Sequence, residues 1–316
     1  MNKRKLIRSH LLVFVIGIIV GSIGIVIAES INSNEVLYDN SNSNTSSDNV
    51  QDALDEMYNI IEHNSTGFSL LMHSPTGLST ELIGGLYRYQ GVQDANNTVD
   101  NYICFGTTNK NDCVSDTDKY MYRIIGISSN GQLKLIRKEA LNTGYAWNSS
   151  TGVDWAHSDL YNGLNGSYFL TNIDYVPDST WSNRIVASDW HYGDITNSNM
   201  DAATMASTEL GATDIVNAKI GLMYLHDYAY ALTTPAYSKT SWIHLSKNDT
   251  SAPNTNYEWT ISRASTNYAW FVSSSGDVNS YNKMTNSYSV RPVFYLQASE
   301  RIASGSGTIT DPYILS

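Results

Sequence analysis

A chain of 316 residues has room for one large domain with appendages or for two ordinary ones, and at that length a sizeable core is no obstacle. It carries 19 Lys and Arg against 30 Asp and Glu, a formal charge of −11, and 16% of its residues are charged where roughly 25% is usual. Such a balance argues against a nucleic-acid partner, since phosphates demand a cationic footprint. The 22 Tyr against 6 Phe point to surfaces that are half apolar and half wet, because the Tyr ring supplies area and its hydroxyl tolerates water.

Lys3, Arg4, Lys5 and Arg8 make residues 1–10 a basic tip. From Leu11 to Ala28 the chain is uncharged, and eighteen helical residues at ~1.5 Å each reach ~27 Å, close to the ~30 Å of bilayer hydrocarbon. This predicts a transmembrane helix over 11–28, with the tip on the cytoplasmic side and everything beyond Ala28 outside the cell. Val26 and Ala28 also satisfy a signal-peptide cleavage pattern, which would release the protein. The run exceeds the ~7–15 residues of a signal core, which favours the anchor. With the four tip cations inside, 15 remain against 30 carboxylates, so the exported part carries −15.

Residues 29–47 are polar, rich in Asn and Ser, and read as a flexible stalk. A helix is predicted over 48–63: Ser47 can cap it, Asp48 suits its positive end, and Val50, Leu54, Met57 and Ile61 recur at helical spacing. That stretch is marginal alone, so it either docks on the domain or self-associates into a homo-oligomer. Residues 64–81 are a linker. From 82 to 316 short alternating runs between Gly, Asn, Asp and Ser indicate one β-rich domain.

Within it, YMYRIIGI and QLKLIR flank a turn with Asn130-Gly131, which predicts a hairpin. Further strands are expected in LYRYQG, YICFG, AKIGLMY, EWTISR, AWFVSS and SVRPVFYL. Ser158 can cap a helix in SDLYNGLNG, and a second short helix is expected in HDYAYAL. Long polar loops are expected at 172–213 and 239–257. Cys104 and Cys113, alone and in an oxidising exterior, predict a disulfide.

Chemistry is sparsely marked. There is no HExxH, no Cys-x-x-Cys, no Gly-rich phosphate loop and no GxSxG elbow, so no catalytic residue and no cofactor is assigned. The seven His are scattered and the acidic loop around Asp116 and Asp118 lacks EF-hand order, so no metal site is assigned. The segment DWHYGD places Trp190, His191 and Asp194 together, a combination suited to sugar through stacking and carboxylate hydrogen bonds; these are the candidate ligand-binding residues. The competing reading makes Trp190 a loop anchor. Arg263 and Arg291 are expected to pair with carboxylates.

Taken in order, NYICFGTTNKNDC, DKYMYRIIGI, GQLKLIRKEALN, SDLYNGLNGSYFL, AKIGLMYLHDYAYA, EWTISR, SVRPVFYL and GTITDPY resemble an uncharacterised family of secreted and membrane-anchored proteins of low-GC Gram-positive gut bacteria. More distantly, the VRP with Arg291 and Pro292, after a Trp-bearing strand, resembles the C-terminal part of C-type-lectin-like and formylglycine-generating-enzyme-like modules. The resemblance implies an α+β, β-rich, loop-rich C-type-lectin-like ectodomain. The chemistry of those modules does not follow. The formylglycine enzymes use cysteines late in the domain, and the calcium motif of Glu-Pro-Asn type is absent. The expected function is a cell-surface anchored, non-enzymatic module that recognises an extracellular glycan or protein. The alternatives are a glycan or cell-wall hydrolase with a carboxylate pair and a structural part of a surface or tail-like fibre.

Overall fold

The computed structural model describes residues 11–14, 25–28, 70, 77–91, 99–196, 201–235, 257–273, 277 and 280–316. The chain divides into two compact units, Met1–His63 and Asn64–Ser316. In the first, Leu11–Phe14 and Ile25–Ala28 pair antiparallel, Leu11 opposite Ala28. Most of the expected apolar span, the stalk and the helix over 48–63 lie outside the described residues. Among the described residues no helix is long and apolar enough to cross a membrane.

The second unit is a β-rich α+β structure built on one antiparallel sheet. In chain order its strands are β1 (Leu78–Ile83), β2 (Leu86–Tyr89), β3 (Tyr102–Cys104), β4 (Met121–Ser128), β5 (Leu133–Arg137), β6 (Ile185–Val186), β9 (Ile220–Gly221) and β13 (Val293–Leu296). Beside it lie a ribbon of β7 (Ser188–Tyr192) with β8 (Asp214–Ala218), a three-stranded sheet of β10 (Glu258–Ser265), β11 (Tyr268–Val272) and β12 (Ser280–Lys283), and two short pairs, Tyr145–Ala146 with Ser287–Tyr288 and Ile302–Ser304 with Ile314–Leu315. The main order is β9-β13-β5-β4-β2-β1, with β3 also on β4 and β6 also on β13.

The hairpin expected from the Asn130-Gly131 turn is β4–β5, and Gly131 takes the left-handed conformation at φ 84° that the turn requires. Both strands are buried almost throughout, so both sheet faces are covered. One face packs Phe105, Tyr122, Phe294 and Trp181 edge to face or tilted, with ring centroids 4.8–5.5 Å apart. The other carries Lys134 beneath Trp190, Tyr224 and Tyr295, its ammonium 4.9–5.8 Å from the three rings.

A register shift in β4 decides what that second face holds. Ile124 pairs with Leu135 but Gly126 with Lys134, so β4 has one residue more than β5 there, a bulge. Gly126 thereby lies between Lys134 on one neighbour and Arg88 on the other. A Cβ at Gly126 would meet the Tyr87 carbonyl oxygen at 2.5 Å, which only glycine avoids.

Arg88 and Lys134 both reach Asp227 on α3 (Leu225–Tyr230): Arg88 Nη1 donates to Oδ1 at 2.7 Å and Lys134 Nζ to Oδ2 at 2.6 Å. All three side chains are buried. Burial alone would push the Asp227 carboxyl up, but Lys134, Arg88 and His226 outweigh it and hold it far below the ordinary carboxylate range. A second buried pair joins Arg291 Nε to Glu258 Oε2 at 2.8 Å, and the Tyr228 hydroxyl donates to Glu258 Oε1.

Several expectations need adjusting. SVRPVFYL is a strand only from Val293, because Pro292 has no N–H for a ladder. The stretch 172–213 is no plain loop: it holds the helix Ser179–Arg184, β6, β7 and α2 (Ala202–Leu210). The helix expected in SDLYNGLNG is α1 (Asp159–Leu164), whose Ser158 side chain accepts from Tyr161 N–H. Cys104 and Cys113 form the disulfide, fully buried. The C-terminal segment closes beside it: Cys104 N–H donates to the Tyr313 carbonyl and Tyr313 N–H to that of Tyr102, each at 2.9 Å.

Asp227→Asn should cost ~3–5 kcal/mol at neutral pH, because two buried cations lose their partner. The folded carboxyl titrates below its unfolded value of about 3.9, so its contribution is complete above that pH and is lost as pH falls below it. The gap in urea midpoint between wild type and variant, measured from pH 7 to pH 2, should therefore be constant above about pH 4 and narrow steadily below it. A gap that stays constant down to the acid end would refute the assignment.

Candidate binding site

The site begins with α2. Its Asp201 N-cap accepts from Thr204 N–H at 2.8 Å, and Ala202, Met205, Ala206 and Glu209 recur on the one face that is buried. Glu209 thus enters the interior at the end of an apolar stripe. Its carboxylate takes four hydrogen bonds: Leu225 N–H at 2.9 Å and His226 N–H at 3.0 Å on Oε1 and Oε2, His226 Nδ1 at 2.7 Å, and the Ser262 hydroxyl. It caps the first turn of α3 with a negative charge and ties that helix to β10.

Gly211 ends α2, and the chain turns through Ala212 and Thr213 into β8. β8 pairs with β7 so that Tyr192 lies opposite Asp214 and His191 opposite Ile215. His191 Nδ1 meets the Ala212 carbonyl oxygen at 2.8 Å. A carbonyl only accepts, so Nδ1 holds a proton, and of the two neutral tautomers this contact selects the one whose Nε2 is an acceptor. The Tyr224 hydroxyl donates to the His191 carbonyl at 3.0 Å.

Between these elements lies an open cavity of about 360 Å³. Glu209, Ser262 and Tyr224, all buried, are among its lining residues, as are His191, Tyr192, Asp194, Thr213 and Asp214. Asp194 Oδ1 pairs with Arg263 Nε, and Ile195 N–H donates to the Arg263 carbonyl at 2.7 Å, which fastens the chain after β7 to β10. Asp214 is exposed, and its side chain makes no ion pair or hydrogen bond among the described residues. The Tyr192 phenol is pushed up by burial and then by Asp154 and Asp214, so it stays a neutral donor.

Of the candidates named from sequence, His191 and Asp194 line the cavity. Trp190 does not: it is 1% exposed, its indole N–H donates to the Ala218 carbonyl at 3.0 Å, and its ring covers Gly221, where a Cβ would meet it at 2.5 Å. Arg263 and Arg291 each pair with a carboxylate, Asp194 and Glu258. Sequence reading passed over Glu209, Ser262, Tyr224 and Asp214. The one available signal was the spacing of Ala202, Met205, Ala206 and Glu209. Among the described residues no group of three or more His, Cys, Asp and Glu side chains is arranged to hold a metal. No family model, curated protein or solved structure matches the chain.

Glu209→Gln replaces an acceptor of four donors with a group that accepts on one atom only, leaving buried N–H groups unpaired at ~1–3 kcal/mol each. Ser262→Ala removes one donor and should cost ~1 kcal/mol. Urea titration should show the first loss clearly exceeding the second; equal losses would mean that Glu209 is not the tie.

Proposed function

We propose that residues 82–316 form a non-catalytic, lectin-like module that takes an extracellular glycan into the cavity between α2, the β7–β8 ribbon and β10. One observation carries this reading. The cavity's deep carboxylate, Glu209, is saturated by four donors and so is spent on structure, while His191 Nε2, Asp214 and the Tyr192 ring remain for a ligand. An aromatic beside a few polar groups in a concave site suits a sugar, whose CH face stacks while its hydroxyls donate. A hydrolase would need a carboxyl pair free to exchange protons and to reach a bond on opposite faces. Here Glu209 is saturated and Asp194 is held by Arg263.

The lectin-like assignment of the fold draws support from the return of the C-terminal segment to β3 and from the burial of Arg291 of the VRP in the core. The apolar run 11–28 serves in this reading as a membrane anchor, with the domain outside the cell, and residues 48–63 as the segment through which copies associate.

A glycan array probed with the full chain in detergent micelles tests the proposal. Binding to a restricted set of glycans, lost in Tyr192→Ala, is expected; no binding to any glycan, with or without calcium, would sink it. Sedimentation of the full chain against a chain lacking residues 48–63 should show a fall in mass to monomer, and identical monomers would remove the association.

A further inference from the structure

The donors and acceptors left in the cavity are unequal in number, and the imbalance has a chemical sense. Three acceptors remain: the His191 Nε2 lone pair, fixed by the Ala212 carbonyl on Nδ1; the Asp214 carboxylate; and the second oxygen of Asp194, whose first is on Arg263. The side-chain donors are the hydroxyls of Tyr192 and Thr213, since those of Thr208, Tyr224 and Ser262 donate to the Thr204 and His191 carbonyls and to Glu209. Neither Lys nor Arg is among the lining residues.

Charge runs the same way. Behind the wall, Asp227 is held by Arg88 and Lys134, Glu209 by His226, and Asp194 by Arg263. The carboxylate of Asp214 is left over on the rim. An anionic ligand would meet this negative charge without a cation to receive it. A neutral sugar hydroxyl offers one proton per group. A primary ammonium has three N–H donors and no acceptor, which matches three acceptors that include carboxylate oxygens.

We propose that the ligand of this cavity carries a protonated primary amine, as a 2-amino-2-deoxy sugar does, and that the site discriminates against anionic and N-acylated sugars. The inference rests on the reading of the cavity as the ligand site. It names the chemical class that the cavity selects. The tyrosine supplies the apolar wall on which the ring carbons stack, and Asp214 and His191 Nε2 receive the ammonium. Acylation would remove the charge and leave one N–H in place of three, adding a carbonyl that finds only two hydroxyl donors.

Calorimetric titration of the full chain in detergent micelles with glucosamine, N-acetylglucosamine, glucose, glucuronate and Nα-acetyl-lysine amide tests this at pH 7. Glucosamine should bind at least ~10-fold more tightly than N-acetylglucosamine or glucose, and glucuronate should not bind. Asp214→Asn, at an exposed position, should erase that preference, so that glucosamine and glucose bind the variant with equal affinity. If glucose, N-acetylglucosamine and glucosamine bind equally and all are lost in Tyr192→Ala, the amine inference is overturned and the cavity remains the site. Binding of lysine amide without any sugar, again lost in Asp214→Asn, would support the amine chemistry and move its source to protein. If none of the five binds, both the inference and the glycan reading fall.

Discussion

The rest of the structure depends on the contact of Asp227 with Arg88 and Lys134. Three charges without water would be a large cost if any lacked a partner, and here each carboxylate oxygen faces its own cation at 2.6–2.7 Å. The arrangement needs two strands to present their cations side by side, which the bulge and Gly126 in β4 achieve. It also needs a helix to deliver the anion. α3 has six residues and little stability of its own, so its position is set by what it touches. Asp227 fastens it to the sheet below, and Glu209 fastens its first turn from the side.

Tryptophan performs the same service for the loops. Trp147, Trp190, Trp259 and Trp270 are buried, and each indole N–H donates to a carbonyl of another segment, those of Thr260, Ala218, Tyr145 and Ile195, at 2.9–3.0 Å. Three of these carbonyls lie 75 or more residues away in sequence. A large apolar body with one polar atom can therefore bury its area and still fix a direction. This also accounts for the Tyr-rich composition. Tyr224 and Tyr228 are buried with their hydroxyls on the His191 carbonyl and Glu258, so much of the Tyr excess is interior wiring as well as wet surface.

How much was legible in the sequence varied with the range of the forces involved. The β4–β5 hairpin was legible because its turn chemistry is local, and so were the Ser158 cap and the pairing of two cysteines near in sequence. That Arg263 and Arg291 would find carboxylates followed from the cost of an unpaired cation, but nothing local identified Asp194 and Glu258 as the partners. α2 escaped notice because its stripe is made of Ala, Met and Ala with a Glu, which reads as polar until the partners of that Glu are known. His191 and Asp194, named together from DWHYGD, both line the cavity, whereas Trp190 follows the competing anchor reading, and the partner it covers, Gly221, lies 31 residues away in sequence where no local pattern identifies it.

The cavity is rigidly coupled to the buried charges. Tyr224 stands between them: its backbone N–H donates to Asp227 Oδ2 at 3.0 Å, and its hydroxyl donates to the carbonyl of His191 at 3.0 Å. His226 stacks on its ring at 5.1 Å and donates to Glu209, whose other oxygen receives Ser262. One continuous set of hydrogen bonds therefore runs from the sheet cations to the strand that bears His191. In the proposed reading, a ligand arriving at His191 Nε2 would meet a ring already held by the Ala212 carbonyl, so little of its binding energy would be spent on arranging the protein. In the proposed reading the same fixed hydrogen bonds would make an open cavity selective. Groups that cannot move to suit a second ligand leave its unmatched donors or acceptors desolvated, and an unmatched polar group costs more than a matched one gains.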